Sequence, residues 1–156
     1  MSMSSNDWIV VVIKLTSDKA RDMLVDFYRY AEDLIGVKDV HFVIRDRVDE
    51  EVVFSFRILV ESQEQMKLEE RVAFKLGGKL PDDAFAINPE PDHSLYKYVA
   101  WHWKDRMNQT GSDKFTLFCR ILSGLSRMVV EMAEQDYFDS NERVEVAHVA
   151  SRMLAS

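Results

Sequence analysis

Residues 40–61, VHFVIRDRVDEEVVFSFRILVE, decide how this chain is read. Two runs rich in β-branched and aromatic residues flank a polar, acidic turn, the pattern of two strands in succession. Side chains alternate across a strand. Phe42, Ile44, Phe54, Phe56 and Ile58 are therefore expected on one face, and His41, Val43, Arg45, Arg47, Ser55 and Arg57 on the other. A sheet face with three arginines and a histidine has to meet solvent, a ligand or acidic protein, because a buried unpaired charge is costly.

Upstream, WIVVVIKL at 8–15 is apolar on both faces, as a central strand covered on two sides would be. Ser17 is placed to cap a helix in which Ala20, Met23, Leu24, Phe27, Ala31 and Leu34 recur at helical spacing, with Gly36 as its stop. Downstream, Ser62 and Gln65 have the spacing of a capping box. A second helix follows through Met66, Leu68, Val72, Ala73 and Leu76, and Gly77–Gly78 ends it. Residues 84–88 suit a short fourth strand that Pro89 and Pro91 prevent from extending.

Strand, helix, strand, strand, helix, strand is the ferredoxin-like α+β order. Right-handed crossovers place both helices on one sheet face, with the first and third strands central. The expected organisation is a ferredoxin-like domain over 7–90 and C-terminal helices over 91–156, packed on it or on a dimer partner. One such helix is expected over 94–107, apolar around more than half its circumference, and a broad amphipathic one over 112–134. A weaker one follows, with Val144, Ala147 and Leu154. The excess apolar arc favours a homo-oligomer.

Composition narrows the function. The chain has 156 residues, 47% apolar and 30% charged, and a net charge of −7. These values suit one domain, or one small domain with an extension. The acidic balance opposes phosphate backbones, and the third strand lacks the central aromatics of an RNA-binding sheet, so no nucleic-acid partner is expected. No apolar run is long enough to span a bilayer and no signal-peptide pattern opens the chain. The expectation is a cytoplasmic protein without a membrane partner. The lone Cys119, among Phe115, Phe118, Ile121 and Leu122, reads as a buried thiol.

Walker-type, GxGxxG, GxSxG and HExxH motifs are absent, so no cofactor is expected. Glu145-x-x-His148 has no second copy to complete a di-iron set. Glu131, Glu134, Glu142 and Glu145 read as solvated helix faces rather than a magnesium site, so no metal is expected either. His102 reads as a core histidine and His93 as a helix-start residue. The best candidates for binding are Arg45, Arg47 and Arg57, since guanidinium groups fork onto carboxylates and phosphates. Catalytic candidates are His41 and His148.

The stretch Phe42-Val43-Ile44-Arg45-Asp46-Arg47, followed by Ser55-Phe56-Arg57, resembles the opening of the C-terminal elimination domain of lanthipeptide and thiopeptide dehydratases. Asn88-Pro89-Glu90 and the pair His148 and Arg152 are similar to later elements of that family. The Arg-Tyr-Gly-Gly element that follows the Pro-Glu in the family is missing here, and this chain is much shorter. The resemblance implies a lyase that eliminates glutamate from a glutamylated peptide Ser or Thr, with Arg45, Arg47 and His148 lining the site. The residues themselves favour a non-catalytic module that binds a small anionic ligand or a protein partner. The alternative is a lyase-like enzyme acting on a modified peptide.

Overall fold

The structure is a computed structural model that describes residues 6–48, 50–99 and 113–135, together with Glu145; at 46–48 and 113–115 it describes backbone only. The described elements are β1 (Asn6–Thr16), α1 (Ser17–Glu32), β2 (Val37–Val48), β3 (Glu51–Glu61), α2 (Gln65–Gly77), β4 (Phe85–Ile87) and α3 (Asp113–Gln135). The strands form one antiparallel sheet in the order β2-β3-β1-β4. β1 and β3 are central, which is why β1 is apolar in both phases: Ile9, Val11 and Ile13 are buried on one face, Trp8, Val10 and Val12 on the other.

The first face carries the main core. Ala20, Leu24, Phe27, Tyr28 and Ala31 of α1 and Leu68, Val72 and Leu76 of α2 pack on Phe42, Phe54, Phe56, Ile58 and Val60. Met66, expected in that stripe, is solvent-exposed. A 3-10 turn over Ser62–Glu64 precedes α2, so that Glu64 rather than Ser62 stands at the N-cap of the α-helix, without a side-chain cap of its own. Ser17 is the first residue of α1 and not its cap; its hydroxyl donates to Glu50 O (2.8 Å) and ties α1 to the hairpin turn. Gly36 takes φ +97° in the turn into β2, a conformation side chains rarely adopt.

The hairpin departs from simple alternation. Val43 lies opposite Ser55 and Ile44 opposite Phe54, but Asp46 is opposite Val53, so Arg45 is the extra residue of a bulge. Ile44, still in register opposite Phe54, is 55% exposed rather than part of the core, and beyond the bulge Arg47 pairs with Val52.

α3 closes the free edge of β2. In this ladder the backbone groups of Val40 and Phe42 point away from β3. Phe42 N–H donates to Ser126 Oγ (3.0 Å), and the Ser123 hydroxyl lies within reach of Val40 O (3.3 Å) and Asp39 Oδ1 (2.5 Å). An unpaired edge invites association; here two helix serines occupy it. Ser126→Ala should therefore cost about 1–3 kcal/mol, because it leaves a buried N–H unsatisfied. Urea unfolding at unchanged m-value checks this, and a loss below about 0.5 kcal/mol would mean that the edge is held by packing alone. The far end of α3 docks on α1: Arg29 forks onto Glu134, and Arg21 donates to Ala133 O.

Candidate functional site

Of the hairpin's candidate residues, His41 and Arg57 come together and Arg45 stands apart. Register places His41 directly opposite Arg57, which in turn lies opposite Val10. Arg45 is four residues farther along β2, exposed, in the bulge. Arg47 is opposite Val52, and its side chain is outside the described residues. His148, Arg152 and His102 lie outside them too, as does most of the helix expected over 94–107. Its described opening is a 3-10 turn over Tyr96–Tyr98 that leaves in an extended conformation at Val99.

The second sheet face is covered rather than open. Leu95 and Val99 beyond β4, and Cys119 of α3, join Trp8, Val10, Val12, Val53 and Ala86 in a second apolar cluster. Within this face His41 is 0% exposed, Arg57 4% and Ser55 1%. The Trp8 ring meets the imidazole edge-on, with centroids 5.3 Å apart. Burial, reinforced by the Arg57 charge, pushes the His41 pKa down to about 3. The imidazole is therefore neutral at physiological pH.

Cys119 shares the setting. Burial, with the Asp39 charge adding and Arg57 opposing, pushes its thiol up to about 11. At neutral pH it is a thiol, not a thiolate. We expect no reaction of the native protein with an aromatic disulfide reagent at pH 7.5, and one equivalent once it is unfolded; rapid labelling of the native protein would show the cover to be open.

His93 has a structural role. Its Nδ1 accepts Leu95 N–H (3.0 Å) and its carbonyl accepts Tyr96 N–H (3.0 Å), so it starts the 3-10 turn. Asn88, at φ +47°, receives Val10 N–H on Oδ1 (2.9 Å) and donates from Nδ2 to Glu69 (2.6 Å), ending β4. Asn is one of the few non-glycine residues that accept this conformation.

Three clefts open at the described surface: about 790 Å³ beside β4, about 290 Å³ between α1 and α3, and about 360 Å³ beside α1 and Lys75. None of these three is lined by His41, Arg45 or Arg57. Among the described residues no group of three His, Cys, Asp or Glu side chains is placed to hold a metal ion. No described helix is long and apolar enough to cross a membrane.

Sequence reasoning missed a feature of α3. Cys119, Leu122, Ser126 and Val130 are buried toward the sheet, yet Leu117 (59%), Ile121 (41%) and Met128 (52%) are exposed. At 100° per residue this second stripe lies about 180° from the first. Gly124 falls within it, with nothing near the position of a Cβ. The signal in the sequence is the 4-3-4 spacing of residues 117, 121, 124 and 128, hidden because Ile121 also fits the broader apolar arc.

The architecture is that of a mixed α/β protein with a four-stranded antiparallel sheet and three described helices. Among solved structures it is similar to that of TsrL, with TM-score 0.53 and 13% identity over 92% of this chain; the chain spans 39% of TsrL's length. At that identity the likeness concerns fold alone. A DUF3240 family protein from Shewanella baltica OS155 aligns with 57% of the chain and 93% of its own at 19% identity and TM-score 0.30. No protein-family model and no curated protein matches the sequence.

Proposed function

We propose that this chain is a non-catalytic binding module whose partner is protein, and that it associates with a second copy of itself through α3. The sheet order and the succession of its elements support reading the sheet domain as ferredoxin-like. The observation that carries the binding proposal is the exposed stripe Leu117, Ile121, Gly124 and Met128, opposite the face with which α3 already covers the sheet. Alternating steps of four and three form the seam along which helices interdigitate, and a glycine within it allows close approach. The same seam on a second copy is self-complementary, as a twofold interface requires. A small anion is the weaker reading. Arg57 lies within the covered face, and Arg45 stands apart from it in the bulge.

Light scattering coupled to size exclusion tests this. The native chain is expected at twice its 18.2 kDa mass, and Ile121→Asp at the monomer mass with an unchanged far-UV circular dichroism spectrum, because Ile121 lies on the face of α3 away from the sheet. A native monomer at high concentration would remove the proposal.

The elimination-domain reading has one observation in its favour. Residues 42–47 and 55–57, which carry the resemblance, lie on adjacent paired strands. Mass spectrometry of a glutamylated serine peptide incubated with the protein tests it. Loss of glutamate leaving dehydroalanine would establish elimination, and an unchanged peptide would dismiss it.

A further inference from the structure

The two edges of the sheet are treated differently. α3 and its serines occupy that of β2. At the other edge, Asn88 N–H donates to Val10 O (2.7 Å), which fixes the ladder parity: Asn88 and Ala86 pair with β1, while the N–H and C=O groups of Phe85 and Ile87 point away from it. None of the described hydrogen bonds takes up those four groups. They border the cleft of about 790 Å³, which Phe85, Ile87 and Asn88 line together with Ala73 of α2. The cleft is acidic. Asp82 and Asp83, both exposed, precede β4; Glu90 and Asp92, also exposed, follow it and line the cleft. The histidine there, His93, already uses Nδ1 to receive Leu95 N–H.

We propose that the edge of β4 is a docking site for an extended peptide segment bearing lysine or arginine, which joins the sheet as a fifth strand. Phe85 and Ile87 supply two rungs of main-chain hydrogen bonds, and the flanking carboxylates select positive charge. This surface is distinct from the α3 seam, and the inference stands whether or not the chain dimerises. With only three residues in β4 the pairing is short, so the charges contribute much of the discrimination.

The test is a capped peptide of alternating lysine and valine, six residues long, titrated into ¹⁵N-labelled full-length protein. The amide signals of Phe85 and Ile87 are expected to shift saturably and to gain hydrogen-exchange protection. N-methylating every peptide nitrogen should weaken binding about tenfold or more, since two or more hydrogen bonds are lost. Replacing the lysines by glutamates should abolish it. Ile87→Pro removes an outward N–H that β1 does not use and should weaken binding likewise; should that variant fail to fold, the methylated peptide makes the same comparison on the native protein. Absence of a saturable shift at Phe85 and Ile87 at millimolar peptide would overturn the proposal. So would equal binding of the methylated or the glutamate peptide.

Discussion

Phe56→Ala is expected to lower the unfolding free energy by about 3–5 kcal/mol, the range for truncating a fully buried aromatic side chain. Phe56 sits on central β3 with no solvent exposure. Phe27 of α1 meets it edge-on, with centroids 4.7 Å apart, and Phe42 and Phe54 lie at 5.2 and 6.1 Å. Removing the ring breaks the contact between helix layer and sheet at its centre, where tight neighbours on both strands limit collapse into the void. Urea unfolding of the variant measures it. A loss below about 1 kcal/mol would mean that the helices do not close on this face as described. Double substitution with Phe27→Ala should be less than additive, because the rings share a contact.

Acidification is the second large effect. The His41 pKa is about 3 when folded and about 6.5 when unfolded. Above pH 6.5 both states leave the imidazole neutral, and it contributes no pH dependence. Below 6.5 the unfolded chain binds a proton that the folded chain refuses, so stability falls as the pH falls, until about pH 3. By pH 4 the loss is on the order of 3 kcal/mol from this residue alone. Asp26 and Glu134, held below the usual carboxylate range by Lys79 and Arg29 respectively, lose stability in the same direction at lower pH. His41→Gln, which takes no proton, separates the contributions. Between pH 6.5 and 4.5 its stability should decline less than that of the native protein, by the share that His41 contributes. Parallel curves for the two proteins would place His41 in contact with water.

Much of the fold was legible because it rests on periodicity. The doubly apolar run at 8–15 announces a central strand, and the phase of Phe42, Phe54 and Phe56 announces the core face. What alternation could not foresee is the bulge at Arg45. One extra residue changes the register beyond Ile44 and places Arg47 opposite Val52. The grouping of three arginines assumed an unbroken pleat. The start of α2 also shifted: a 3-10 turn takes Ser62–Glu64, so the α-helix begins at Gln65. The covered second face turned on where a distant segment docks. Leu95, Val99 and Cys119 are apolar in sequence, but nothing local says which surface they meet. Ser123 and Ser126 are polar residues beside the buried stripe of α3, and the edge of β2 accounts for them.

The central claim is that the face bearing His41 and Arg57 is closed core, so that partners are met elsewhere. The imidazole of His41 reports on it directly by NMR, as ring carbon and nitrogen shifts followed from pH 8 to pH 4. A neutral ring throughout, with no inflection above pH 4, is the expected result. A protonation midpoint near 6.5 would place the ring in water and restore this face as a site.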